Sequence, residues 1–314
     1  MKEKKDLRGI NTTQMKRIQI LLLFICIPPV FIFGCTKDTD NNSSDVPFGK
    51  MEVFVFSAGK ADAILVTTEK HTVLIDTGKD KHGQVITDYL AARGITVIDY
   101  LIITHFDKDH IGGADKVIRN LTVKKIIVPD YKKDSEQYRQ FIKAANDTGT
   151  ELSVLRQKTE FKLDSAEFVI YPSMQEYYDY STEDNDDDDE DEDTVNENNF
   201  SAAVRISHGS KNFLFTGDAK AKRLKELLAD EEITNIKYDF LKVPHHGRHN
   251  KSSTDFISRI NPEYAVITCS EDSPADSRVL EALEKTGAKI YLTTSGNIRC
   301  TSDGCNLTVQ IQDY

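Results

Sequence analysis

The chain has 314 residues, 39% hydrophobic and 29% charged, with a formal net charge of -11 from 40 Lys and Arg against 51 Asp and Glu. That length allows one large domain or two smaller ones, and the composition excludes a globally disordered chain. The negative charge disfavours attraction of the whole surface to nucleic acid or anionic lipid. It is unevenly spread, however: ten acids occupy the eleven positions 183–193, and without them the balance is 40 against 41.

Lys16 and Arg17 precede an apolar run of sixteen residues, 18–33, broken by Pro28 and Pro29. A membrane-spanning helix needs about 20 apolar residues, so a short run behind a basic flank reads as the apolar region of a secretory signal. It closes on Ile32-Phe33-Gly34-Cys35, which resembles a bacterial lipobox. The expectation is a lipoprotein signal peptide over 1–34, a lipidated Cys35, and a flexible polar tether over 35–49. An uncleaved signal anchor is the alternative. Either way the rest is exported to the bacterial envelope, on the periplasmic or cell-surface side; on the lipoprotein reading the mature chain is expected to carry no transmembrane helix.

Beyond the tether, runs rich in Val and Ile at 51–56, 63–67 and 72–75 predict strands. Helical spacing over 85–93 stops at Gly94, and the nearly continuous apolar run 97–104 predicts a strand central in a sheet. A short helix near 114–119, a strand at 125–128 and a helix over 135–146 follow, then strands at 152–155, 161–163 and 167–171. The acidic stretch, taken as 181–197, is expected to be a solvated low-complexity insertion. After it come a hairpin of 202–207 with 212–216, a helix over 220–228 and a strand at 240–243. Helices near 256–260 and 278–286 alternate with strands at 264–268 and 290–293, and a hairpin over 298–311 ends the pattern. Each half runs strands then helices, which predicts an α/β (α+β) domain over 50–314 with two mixed sheets covered by helices. Cys300 and Cys305 flank a turn-forming Thr-Ser-Asp-Gly, and an exported compartment permits disulfides. A cross-strand bridge and two reduced thiols are the two readings.

The chemistry concentrates in Thr104-His105-Phe106-Asp107-Lys108-Asp109-His110, where the apolar strand ends before Gly112-Gly113. A loop leaving a buried strand can hold His105, Asp107, Asp109 and His110 rigidly, and imidazole with carboxylate suits hydrolytic Zn, Mn or Fe.

With Leu74-Ile75-Asp76-Thr77-Gly78 upstream, and Phe215-Thr216-Gly217-Asp218 and Val243-Pro244-His245-His246-Gly247 downstream, the chain resembles the metallo-beta-lactamase superfamily. Within it the chain is most similar to the extracytoplasmic hydrolase domain of competence-type DNA-uptake channel proteins. Asp107 in place of the second signature His, Leu241 to Gly247, and Asn199-Phe200-Ser201 carry that likeness. The resemblance implies a four-layered αββα sandwich. It implies one or two divalent ions, Zn or Mn: His105 and Asp107 on one, Asp109 and His110 on the other, and Asp218 bridging. His245 and His246 compete for the last ligand position; His246, next to Gly247, is favoured, leaving His245 to serve the substrate or a neighbouring ligand. Asp76 is expected to orient a ligand imidazole, with Asn199 and Ser201 edging the first ion. The expected catalytic groups are Asp109, Asp218 and His245.

The third His of the first ion is absent, and Asp107 hardens that position toward Mn or Mg. The opening Gly-x-Gly-Asp becomes Gly59-Lys60-Ala61-Asp62, and a late Gly-His-Pro is replaced by Asp272-Ser273-Pro274-Ala275. Arg248, His249, Lys251 and Ser252 place cationic and hydroxyl groups after His246, which suits phosphate oxygens. The expected activity is therefore a phosphodiesterase or nuclease-like hydrolysis through ion-activated water, on a small or polymeric phosphoester such as extracellular nucleic acid. The alternatives are a non-catalytic envelope binding protein and a hydrolase of carboxylic esters, lactones or thioesters.

Overall fold

The computed structural model describes residues 48–174 and 196–312. The first half contains β1 (Met51–Val55), β2 (Ala63–Thr67), β3 (Thr72–Thr77), α1 (Asp80–Ala92), β4 (Val97–Ile102), α2 (Lys108–Ile111), α3 (Ala114–Asn120), β5 (Thr122–Pro129), α4 (Glu136–Thr148) and β6 (Glu151–Leu155). The second contains β7 (Thr159–Leu163), β8 (Ala166–Tyr171), β9 (Ala203–His208), β10 (Lys211–Phe215), α5 (Ala221–Ala229), α6 (Glu231–Thr234), β11 (Phe240–Lys242), α7 (Ser253–Ile260), β12 (Tyr264–Ile267), α8 (Ser277–Thr286) and β13 (Lys289–Leu292). The chain then returns to the first half through β14 (Asn297–Ser302) and β15 (Leu307–Gln312).

Two sheets result, in the strand orders β15-β14-β1-β2-β3-β4-β5-β6 and β13-β12-β11-β10-β9-β8-β7. Side-chain alternation explains how they stack. Val53 and Val55, Val73 and Ile75, and Phe213 and Phe215 enter a core shared between the sheets. Phe54 and Leu74 point the other way, onto Ile86, Leu90, Val117 and Phe141 of the helices on the first sheet. Leu214 and Leu241 do the same on the second sheet, against Leu224, Phe256 and Leu283. Three apolar layers between four structural layers give the αββα sandwich, and each fully buried Leu, Ile or Phe contributes about 1.5–3 kcal/mol. Strands buried on both faces read as continuous apolar runs, which is why β4 was visible in the sequence.

The differences from expectation are local. Helix α1 begins at Asp80, a full turn before the periodic apolar residues, because Gly83 lies against Gly113; a Cβ there would sit 2.5 Å from the Gly113 carbonyl oxygen. The four-residue α2 and α6 carry too few apolar positions to show a period. A Cys300–Cys305 bridge does not form: Cys300 is a free, buried thiol. Cys300 pairs with Val53 and Val309 across β14, so the pleat sends its side chain into the core between the sheets. The expected signal peptide, Cys35 and tether up to Pro47 lie outside the described residues, as does the acidic insertion up to Val195. No helix among the described residues is long and apolar enough to cross a membrane.

Strands β3, β4 and β5 are parallel, and so are β10, β11 and β12. The loops leaving their C-terminal ends gather the chemistry at one edge of the sandwich, as open parallel sheets generally do.

Candidate metal centre

Each side chain arrives by an identifiable device. Alternation through the ends of β4, β11 and β12 keeps Thr104, Lys242 and Thr268 on the face shared with Ile102, Phe240 and Val266, between the sheets. Asp76 interrupts the pleat with φ 56°, and the turn after β11 holds three consecutive left-handed residues, His245, His246 and Gly247, at φ 50°, 55° and 77°. Such conformations cost about 1–3 kcal/mol at a non-glycine residue and persist only where surroundings impose them. Three of the five non-glycine residues with positive φ among those described belong to this site. The His105–His110 loop is anchored by Phe106, which is buried among the α4-side aromatics while its N–H donates to the Tyr131 hydroxyl at 2.7 Å.

Hydrogen bonds fix which ring nitrogen carries the proton. Thr104 donates its backbone N–H (2.8 Å) and its hydroxyl (2.6 Å) to the Asp76 carboxylate, so its hydroxyl oxygen accepts from His105 Nδ1 at 3.1 Å. His110 Nδ1 donates to Asp76 Oδ2 at 2.8 Å. Thr268 donates to Asp62 Oδ1 at 2.6 Å and so accepts from His246 Nδ1 at 3.0 Å. Asp62 in turn pairs with the fully buried Lys242 at 2.5 Å. All three rings are thereby turned so that Nε2 faces the centre, the usual way proteins orient metal-binding imidazoles.

His105 Nε2, His110 Nε2, His246 Nε2 and Asp218 Oδ1 are buried without a hydrogen-bond partner. Asp218 lies 3.2 Å from His110 Nε2 and 3.0 Å from His246 Nε2, and Asp109 lies 3.8 Å from His246 Nε2. Ligands about 2.0–2.2 Å from one tetrahedral ion stand about 3.3–3.6 Å apart, so these spacings fit a divalent cation. The ligand atoms of His105, His110 and Asp218 lie within 4.8 Å of one another, and so do those of Asp109, His110 and His246. The donor set is mixed imidazole and carboxylate, suited to Zn or Mn.

The electrostatics agree. Burial would raise the Asp218 carboxyl, but His246 and His110 hold it well below the usual carboxylate range. Burial would lower His110, but Asp218 and Asp76 on either side push it well above the usual imidazole value. A bound cation would take the place of that Nε2 proton. Asp62 is kept low against its own burial by Lys242 and the two imidazoles. His245, 4.0 Å from Asp218, is pushed down to about 3 by burial, with smaller contributions from His246, Lys220 and Lys60, so it is neutral at neutral pH.

Asp107 stands beside His105 as expected, its Oδ2 3.6 Å from His105 Nε2, but its Oδ1 binds Lys133 at 2.7 Å and it joins no group of three converging ligands among the described residues. Other expected residues are engaged elsewhere. Asn199 uses its carbonyl oxygen to accept the Arg223 N–H in the first turn of α5. Ser201 is buried, its hydroxyl unpaired and its carbonyl oxygen held by Arg223. Arg248 and His249 are half-buried and Lys251 is exposed; Ser252 is buried, its N–H held by Asn250, whose own N–H bonds Ser253 at the start of α7. Asp62, Thr104, Lys133, Lys242 and Thr268 were not expected at the site. A lysine inside an apolar strand, and threonines ending two others, were the available signals.

A sandwich of two sheets between helices, with His and Asp gathered at the strand ends, defines a class of metal-dependent hydrolases. The profile of the metallo-beta-lactamase superfamily matches residues 57–270. The chain belongs to that superfamily. Among curated relatives, ComE operon protein 3 of Bacillus subtilis (strain 168) is 25% identical, the match covering 77% of this chain and 32% of that protein. Recombination protein 2 of Haemophilus influenzae is 27% identical over 79% of this chain and 28% of its own length. Competence protein ComA of Neisseria gonorrhoeae is 28% identical over 71% and 28%. The chain thus spans about a third of the relatives it matches. Among solved structures, Tm1679, a metal-dependent hydrolase of the beta-lactamase superfamily, shares the fold with a TM-score of 0.50 at 16% identity, covering 77% of this chain and 95% of that one.

Proposed function

We propose that this protein is a metal-dependent phosphodiesterase of nuclease-like type. The observation that carries the reading is a buried, acidic ligand set with a basic rim: Lys133 binds Asp107, Lys60 and Lys220 are close enough to act on His245, and Arg248 is half-buried on the same turn. Cations around an acidic centre favour a substrate that brings its own negative charge, and guanidinium and ammonium groups suit phosphate oxygens. His105, His110, His246, Asp218 and Asp109 would hold Zn or Mn, with Asp107 at the outer side. When bound, such ions polarise a phosphoryl oxygen and lower the pKa of water toward ~7. The chain's own tasks are to aim the imidazoles through Asp76, Thr104 and Thr268, to exclude water from the deep side, to receive a proton at Asp109, and to offer the neutral His245 to the substrate as a hydrogen-bond partner. Two relatives are named for recombination and competence, which favours DNA as the polymer.

The same reading places the domain in the bacterial envelope, exported by residues 1–34, lipidated at Cys35 and tethered by residues 35–49. The mature protein reconstituted with Mn or Zn is expected to cleave bis-p-nitrophenyl phosphate and DNA or RNA. Bound metal with no cleavage of any of the three overturns the phosphodiesterase reading.

A further inference from the structure

The two sides of the centre are held differently, and Lys133 is the reason. It follows β5 in a loop fixed by Tyr131, whose hydroxyl accepts the Phe106 N–H, so the loop is pinned directly to the residue before Asp107. The Lys133 side chain is only 16% exposed, and its ammonium lies 2.7 Å from Asp107 Oδ1 and 2.6 Å from Glu197 Oε2. The ammonium offsets one of the two carboxylate charges, and the lysine stands beside the outer position as a covalently attached cation. Asp107 is left with one oxygen turned toward His105, 3.6 Å away. On the deep side no lysine among the described residues pairs with Asp109, and Lys242 is committed to Asp62 and lies 3.7 Å from Asp218.

We propose that Lys133 sets the metal occupancy of this site: by holding Asp107 and placing a positive charge beside the outer position, it makes a second divalent ion bind weakly while the first is held tightly at the deep side. The inference rests on the metal-dependent reading above. It explains why an Asp at this position does not join a converging ligand group although its neighbours Asp109 and His110 do. Lys133 acts here as a positioning residue, through Asp107.

The test is calorimetric titration of metal-stripped protein with Mn²⁺, paired with spin-resonance counting of free Mn²⁺. The wild type is expected to show one tight and one weak equivalent. Lys133→Met removes the charge and keeps the length, and the second ion is expected to tighten at least about tenfold even under near-water screening. Lys133→Arg keeps the charge, and its second ion is expected to stay within about threefold of wild type. Glu197→Gln removes a carboxylate and is expected to weaken the second ion. An unchanged first-ion affinity in each variant shows that the site is folded. A second ion that is unchanged or weaker in Lys133→Met, or equally tightened in Lys133→Arg, overturns the proposal and leaves the hydrolase reading standing. A wild type that binds no ion at all overturns both.

Discussion

The deep and outer sides of the centre use the same residue types and different physics. On the deep side, His110 and His246 are buried, and each is aimed by a hydrogen-bond chain ending on a carboxylate, Asp76 or Asp62, the latter neutralised by Lys242. On the outer side, His105 is buried but Asp107 is 30% exposed and shared with a lysine. Burial makes the deep side rigid and intolerant, because its polar groups are bonded to one another and have no water to replace a lost partner. Solvent makes the outer side adjustable.

The largest expected effect breaks the deep brace. Lys242→Met leaves Asp62 buried and uncompensated, and removal of one partner from a buried pair costs about 3–5 kcal/mol. Urea unfolding of the metal-free protein should show that loss, whereas Lys133→Met, at a partly solvated pair, should cost about 1 kcal/mol or less. Comparable losses for both would erase the distinction between the two sides. Thr268→Val keeps the shape but cuts the link from His246 to Asp62. Loss of an orienting partner of this kind costs about 10–100-fold in metal affinity, read by titration with Zn²⁺ or Mn²⁺.

A smaller effect follows from His82, a buried residue in the first turn of α1 whose Nδ1 accepts the Lys79 N–H at 2.9 Å. Burial first, and then Lys81 and Lys79, push it down to about 4 from 6.5. The folded value is depressed, so the unfolded chain takes up a proton first as pH falls. Stability of the metal-free protein is therefore expected to be full above pH 6.5 and to drop as pH falls toward 4, by up to about 3 kcal/mol. In His82→Gln that slope should flatten. The smallest effect concerns Cys300, whose thiol burial pushes up to about 12. It should resist alkylation at pH 8 in the native protein and react at once in denaturant.

The sandwich was legible because strands buried on two faces announce themselves, and the His105–His110 loop because four ligand types crowd one strand end. The braces were not legible. Asp62 and Lys242 are remote in the chain and meet only when both sheets present their C-terminal ends at one edge. Lys133 lies among charged neighbours in Asp130-Tyr131-Lys132-Lys133-Asp134, and nothing in that order marks it out; its place comes from Tyr131, which pins the loop to Phe106. Cys300 and Cys305 have a suitable turn between them, but the pleat rather than the turn decides where a strand side chain points. Asn199 stands near the expected position in sequence, yet helix α5 needs an N-terminal hydrogen-bond acceptor and takes its side chain.

The most direct test of the centre is metal binding by the stripped protein and two single variants, titrated with Mn²⁺ and Zn²⁺. One tight equivalent is expected in the wild type, lost in Asp218→Ala and kept in Asp107→Ala. No tight equivalent under any loading, or a tight ion that survives Asp218→Ala and disappears in Asp107→Ala, would contradict a metal centre built on its deep side.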